Sequence, residues 1–392
     1  MRKPNLVRRT PWPSSVSRPL VTPLQPSVVY ASATPDQLDA QYEEGHGYTY
    51  SREGHPNAQL LAQKIDALEG GEGGMILSSG MAAITAAIFG LLSAGDHILG
   101  ANQLYGRSLR LLSHDLPRFG ITGTLADPTD AAAMAAAVTD KTRLLLVEVV
   151  SNPTLRVADM EGIVALGARH GLILVVDNTF TTPFGYSPFQ AGADIVVHSV
   201  TKLLSGHSDT MLGYVAAREP AHRDAIRQIS MTMGVTPSPF DCWLAERGLY
   251  TFDLRFERAQ HNAARLAHAL AEMPGVARVV YPGRSDHPDH GRALHLLQGQ
   301  FGNTISFEIG GGRAAANALT AAMPDLAFAP TLGDVGTTLS HPSSSSHRTL
   351  TDHARAAIGI SEGFFRVSVG IEDIDLLVAE FERGIAAAMG AR

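Results

Sequence analysis

One cysteine, Cys242, stands among 392 residues, so no disulfide within the chain can brace its fold. Such scarcity fits a reducing compartment, and a cytoplasmic location is expected. Charge is sparse: 31 Lys and Arg against 38 Asp and Glu leave a net of −7. The basic excess that nucleic acid or an anionic membrane surface would need is missing. No apolar run comes near the roughly 18 residues of a membrane span. The nucleotidase loop Gly-x-x-x-x-Gly-Lys-Ser/Thr does not occur, which argues against an NTPase. Ser343 to Ser346 lack the Gly-x-Ser-x-Gly frame of a nucleophile elbow. No spacing of histidines converges the three or four ligands a zinc ion requires, so no metal is expected. His55, His198, His207, His341 and His347 are read as structural. Acids are absent before Asp36, while Arg2, Lys3, Arg8, Arg9 and Arg18 are present. Pro4, Pro11 and Pro13 would interrupt an amphipathic transit helix, so a flexible basic arm is the preferred reading.

What is present is apolar enough, at 45%, to bury more than one core, and long enough for two domains. Residues 1–55, rich in Pro, Tyr, Gly and Ser, read as an extended arm. Residues 56–245 read as a large domain. Leu60, Leu61, Ile65 and Leu68 share one face of a helix over 57–68. Short apolar runs then alternate with helical patterns: strands at 75–77, 96–99, 143–150, 172–177 and 194–198. These runs are continuously apolar, the pattern of a mostly parallel α/β sheet covered by helices on both faces. Residues 246–392 open on a helix over 251–273. Strands at 276–281, 302–309 and 364–369 follow, which suggests a smaller α+β domain.

In such sheets ligands bind beyond the carboxyl ends of the strands. Ser79 and Gly80, Asn152, Asp177, and Ser199 to Lys202 all fall at such ends. Asp177 closes one apolar run, and Lys202, 25 positions later, stands just past the next. An acid and an amine so placed suit pyridoxal phosphate, which needs a lysine for its Schiff base and a carboxylate to keep its ring nitrogen protonated. Ser78-Ser-Gly-Met81 opens a helix with small residues, a favourable seat for a phosphate. Once displaced by a substrate amine, Lys202 is free to act as a base or acid. Arg366 interrupts the apolar strand Phe364 to Val369; it is either a structural ion pair or a carboxylate clamp. Cys242 is read as packing.

These segments resemble the pyridoxal-phosphate enzymes of cysteine and methionine metabolism, among them cystathionine β-lyases, γ-lyases and γ-synthases and methionine γ-lyases. The likeness is carried by Tyr48-Thr-Tyr-Ser-Arg-Glu-Gly54, Ser79-Gly-Met81, Leu104-Tyr-Gly106, Ser151-Asn-Pro153, Val176-Asp-Asn-Thr179, His198-Ser-Val-Thr-Lys202, Gly206-His-Ser-Asp209 and Phe365-Arg-Val-Ser-Val-Gly-Ile-Glu372. It spans residues 22–388. The resemblance implies an aspartate-aminotransferase-like fold and a homotetramer made as a dimer of dimers. It implies catalytic roles for Lys202 and Tyr105, with Tyr105 stacked on the cofactor ring and Asn152 near the ring hydroxyl. Asp177 would pair with the ring nitrogen. Ser199, Thr201, Gly80 and Met81 would hold the phosphate, joined by Tyr50 and Arg52 from a neighbouring subunit. Arg366 would bind the substrate α-carboxylate, Thr337 would position the lysine amine, and Arg110 matches a substrate-side arginine.

The chain also departs from the family pattern. His55-Pro-Asn57 replaces Asn-Pro-Thr. Thr331-Leu-Gly-Asp-Val-Gly-Thr-Thr338 replaces a segment in which Gly336 would be glutamate. Thr49 stands where cystathionine enzymes often carry glutamate, and Arg107 where methionine γ-lyases carry cysteine. The resemblance implies elimination from a sulfur-containing amino acid, releasing keto acid, ammonia and thiol. The alternatives are γ-replacement on an activated homoserine and a silent cofactor-binding scaffold.

Overall fold

The computed structural model describes residues 15–45, 47–348 and 351–391. Most of the basic N-terminal stretch, including Arg2, Lys3, Arg8 and Arg9, lies outside them. The arm is less extended than its composition suggests, since Pro35–Glu44 is helical (α1), capped by Thr34 and stopped at Gly45. Helix α2, Pro56–Glu69, has Pro56 in its first turn, where no N–H is needed, and His55 Nδ1 accepts the Ala58 N–H. Leu61 and Ile65 of α2 are fully buried, as their spacing predicts.

A seven-stranded sheet forms the larger core. In chain order its strands are β1 Met75–Leu77, β2 His97–Ala101, β3 Thr122–Ala126, β4 Thr142–Glu148, β5 Ile173–Asp177, β6 Ile195–Ser199 and β7 Gly213–Ala217. In space the order is β1-β7-β6-β5-β4-β2-β3. Strands β2 to β6 pair in parallel, while β7 runs antiparallel to both β6 and β1. Two strands were not marked by the apolar runs. The side chains of β3 face solvent at the sheet edge, and β7 is a short buried run beyond the lysine turn. Helix α4, Gly106–Arg110, continues as wider and tighter turns to Phe119.

A second sheet has the order β10-β11-β12-β9-β8, where β8 is Val276–Val280, β9 Thr304–Ile309, β10 Ala327–Phe328, β11 Thr338–Ser340 and β12 Phe364–Ser368. Its core stacks Phe307 on Phe365 across β9 and β12, with Phe381 edge-on from the C-terminal helix. The expected boundary near residue 245 falls inside the helix Pro239–Leu249. Cys242 sits on that helix, buried beside Phe252 and Phe256 in a third apolar cluster that includes Leu61 and Tyr214. Burial pushes its thiol far above the usual range, so it is packing. No helix of the described residues is long and apolar enough to cross a membrane.

Candidate active site

The carboxyl ends of β4, β5 and β6 meet the start of α3, Gly80–Leu91, and Arg366 from the middle strand of the second sheet. Ser79 caps α3 by accepting the Ala82 N–H at 3.1 Å, which leaves the first-turn N–H groups of Gly80 and Met81 outside the helix ladder. A Cβ at Gly80 would lie 2.7 Å from Ser199 Cβ, so glycine alone lets α3 approach the end of β6 this closely. The Ser199 hydroxyl therefore stands beside free helix-start N–H groups, a donor set suited to a phosphate. Thr201 differs from expectation: its hydroxyl donates to the Leu212 carbonyl and accepts the Leu212 N–H, so its one proton is already committed.

Asp177 ends β5. Its Oδ1 accepts the Thr179 N–H at 3.0 Å and the Thr179 hydroxyl at 2.5 Å. That hydroxyl in turn accepts the Ser199 N–H, tying the ends of β5 and β6 together. Burial raises the Asp177 carboxyl, opposed by the Thr179 bonds and by His198. His198 is itself buried and paired through Nε2 with the fully buried Glu69, whose Oε1 also takes a hydrogen bond from Asn178. His198 is thus held in place behind the acid, in keeping with its structural reading.

Lys202 lies in a tight turn after β6. Its Nζ donates to Thr331 Oγ1 at 3.2 Å, and burial, then the charge of Arg366, lowers its pKa from the usual range. Gly333, at φ +81°, packs on this turn; a Cβ there would be 2.5 Å from the Leu203 nitrogen. The hydroxyl within reach of the amine is that of Thr331 and not that of Thr337. Thr337 is buried against Glu372, to which its hydroxyl donates at 2.9 Å, and it accepts the Gly370 N–H. Nothing in the local sequence marks Thr331, which arrives from 129 residues away.

Arg366, on β12, reaches across from the second sheet. Nη1 donates to Asn152 Oδ1 at 2.8 Å and Nη2 to the Thr331 carbonyl at 2.5 Å. Its Nε is buried and has no hydrogen-bond partner among the described residues. Burial pushes this guanidinium down to about 10. Tyr105, 41% exposed at the start of α4, lies close enough for its hydroxyl to influence Arg366. Glu148, at the end of β4, is a site residue that the sequence reading missed: it is buried and accepts the Tyr105 N–H at 2.7 Å. It is the one acid inside the apolar run over 143–150, and that placement was the available signal.

Some expected residues are not brought to Lys202. Arg110 turns outward to Asp115 at 3.6 Å and is 57% exposed. Tyr50 and Arg52 stack on each other in the arm, at 4.9 Å, and line a cavity of about 640 Å³ with α2 and Met231. That cavity includes neither Lys202 nor Asp177.

The residues that do converge fit pyridoxal phosphate. Gly80, Met81 and Ser199 form an anion cradle that a Cβ at Gly80 would fill, Asp177 offers a carboxylate for the ring nitrogen, and Lys202 is a desolvated amine. The chain matches the model of the Cys/Met metabolism PLP-dependent enzyme family over residues 6–386. It is 40% identical over 347 residues to the cystathionine beta-lyase MetC of Bacillus subtilis (strain 168), covering 88% of each chain. It is 38% identical over 370 residues to the L-methionine gamma-lyase of Pseudomonas putida, covering 94% of this chain and 93% of that one. The fold superposes on the cystathionine gamma synthase of Xanthomonas oryzae pv. oryzae, crystallised with cystathionine, with a TM-score of 0.89, 35% identity and coverage of 95% and 94%. The cradle, the acid and the buried amine therefore belong to an enzyme, and the chain is a member of the pyridoxal-phosphate-dependent family of cysteine and methionine metabolism.

Proposed function

We propose that this enzyme is a carbon–sulfur lyase, eliminating thiol and ammonia from a sulfur-containing amino acid such as cystathionine or methionine to leave a keto acid. The observation that carries the reading is Lys202: its amine is buried, oriented by Thr331, and lowered in pKa beside an arginine with an unused donor. Bound pyridoxal phosphate supplies the electron sink that makes the substrate Cα–H bond breakable. The chain does the rest. Lys202, desolvated and near a cation, reaches the neutral form at lower pH than an exposed lysine, so it can take and return a proton. Arg366 offers the substrate carboxylate its orphan Nε–H and an adjacent Nη. A buried N–H without a partner costs about 1–3 kcal/mol, which such a ligand would offset. Asp177 would pair with the ring nitrogen, Asn152, which accepts from Arg366, would lie near the ring, and Tyr105 would cover it.

Tyr50 and Arg52 then serve the phosphate of a neighbouring copy, because their own chain keeps them in the arm. This supports a homotetramer of tight dimers, and the single cysteine fits a reducing compartment such as the cytoplasm. Residues before the helix Pro239–Leu249 carry the cofactor, and those after it close over the substrate. The second reading is γ-replacement on an activated homoserine, supported by the likeness to a cystathionine gamma synthase.

One experiment separates these readings. The purified enzyme is given cystathionine, methionine, cysteine and O-acetyl- or O-succinylhomoserine in turn, and the product is identified. Pyruvate means β-elimination and 2-oxobutanoate γ-elimination. Consumption of the homoserine ester only with added thiol, without keto acid, means replacement and overturns the lyase reading. Colour without turnover on any of these substrates overturns both.

A further inference from the structure

Glu148 is the register partner of Asp177 across β4 and β5, yet proton transfer by Lys202 makes no use of it. Two observations describe it. Its Oε1 accepts the backbone N–H of Tyr105 at 2.7 Å. Its Oε2 is buried without a hydrogen-bond partner among the described residues. Helix α4, which Tyr105 opens, is five residues long and has no side-chain cap. Nothing in its own sequence therefore anchors its first turn to the sheet. The anchor comes from β4, 43 residues further along the chain.

We infer that Glu148 is a positioning residue: by holding the Tyr105 peptide it fixes the tyrosine ring over the cofactor. The inference rests on the reading of Tyr105 as the cover of that ring. The groups facing Glu148 are Tyr105 from α4 and Asp177 from β5, with His198 of β6 beyond the acid. Burial, then the charge of Asp177, pushes the Glu148 carboxyl well above the usual range, against the pull of the Tyr105 N–H. Two adjacent buried carboxyls do not both ionise. Of the two, Glu148 is the one pushed harder towards its neutral form, because the Thr179 bonds and His198 oppose the shift at Asp177. Glutamine, neutral and of the same shape, retains the acceptor that Tyr105 uses.

The test measures the affinity of the cofactor-free protein for pyridoxal phosphate, followed by visible absorbance. The variants are Glu148→Gln, Glu148→Met, Tyr105→Ala and the pair Glu148→Met with Tyr105→Ala. Methionine keeps the volume and loses the acceptor; Glu148→Ala repeats the test should methionine fail to fold, with thermal unfolding as the check. We expect Glu148→Met to weaken binding about tenfold, the size of one buried hydrogen bond, and Glu148→Gln to stay within about twofold. In the Tyr105→Ala background Glu148→Met should add less than about twofold, since the peptide N–H is still held but no ring is left for it to position. Additive losses, or a folded glutamine variant as weak as the methionine one, overturn the proposal and leave the reading of Tyr105 standing. A Tyr105→Ala protein that binds as tightly as wild type overturns both.

Discussion

Two buried arginines flank the lysine turn, and they are finished differently. Arg255, from the helix Phe252–Glu272, is closed: its donors reach the Leu203, Leu204 and Gly248 carbonyls and the Thr251 hydroxyl at 2.8–3.2 Å. Arg366, on the other side, is open: two bonds are made and Nε is left over. Burial lowers the pKa of both. The difference is in satisfaction. A fully bonded buried cation belongs to the scaffold, whereas a partly bonded one keeps capacity for something that arrives. Substitutions on the two sides should therefore separate stability from activity.

The largest effect belongs to the residue between them. Lys202→Ala should cut turnover by at least about 10²–10⁴-fold, the range of a lost acid–base group, and abolish the visible cofactor band. Its thermal unfolding should be unchanged or raised, because a desolvated amine is removed; near-normal turnover would sink the mechanism. Next comes Arg255→Ala, which orphans three backbone carbonyls and should cost about 3 kcal/mol in denaturant unfolding. If the protein keeps its stability but loses substrate affinity, the contrast between the arginines is wrong. Arg366→Ala should instead raise KM by roughly 10–100-fold, or about 1.5–3 kcal/mol, with a smaller loss in unfolding than Arg255→Ala, since it orphans two acceptors and removes an unpaired Nε. An unchanged KM would remove the carboxylate clamp.

Acid titration sharpens the comparison further, because the open side also governs His347. Burial, then the charges of Arg366 and Arg355, holds this imidazole at about 4 instead of 6.5. Between those values the unfolded chain binds the extra proton, so stability present above pH 6.5 is lost as pH falls towards 4. Denaturant midpoints measured across that window should fall less steeply for His347→Gln; parallel curves would reject the assignment. The smallest effect is expected from Thr331→Val, about 0.5–1.5 kcal/mol for one hydrogen bond. It should appear as a shift in the lysine limb of the kcat/KM pH profile, and an unmoved limb would mean that the hydroxyl does not orient the amine.

Legibility in the sequence followed locality. Asp177 and Lys202 could be read because each sits at the end of a continuously apolar run, and the carboxyl ends of parallel strands converge. The long helix after Thr251 was equally plain from its periodicity. Strands β3 and β7 were hidden because their glycine and alanine residues carry little strand propensity. At the site, Thr331 was invisible and Thr337 was named in its place. Which hydroxyl of a loop reaches a lysine is decided by how that loop crosses Gly333, a tertiary fact. The Thr201 proton was likewise claimed by Leu212 through pairing that no spacing reveals.

The turn that carries Asn152 is gripped twice from the second sheet. Arg366 holds the Asn152 side chain, and its register partner Ser306 donates to the Pro153 carbonyl at 2.7 Å. Those two bonds work like paired hinge screws, fixing the angle at which the two halves of the cleft meet. The gap between amine and guanidinium, and so the length of amino acid that bridges it, is set in part by a serine that touches neither.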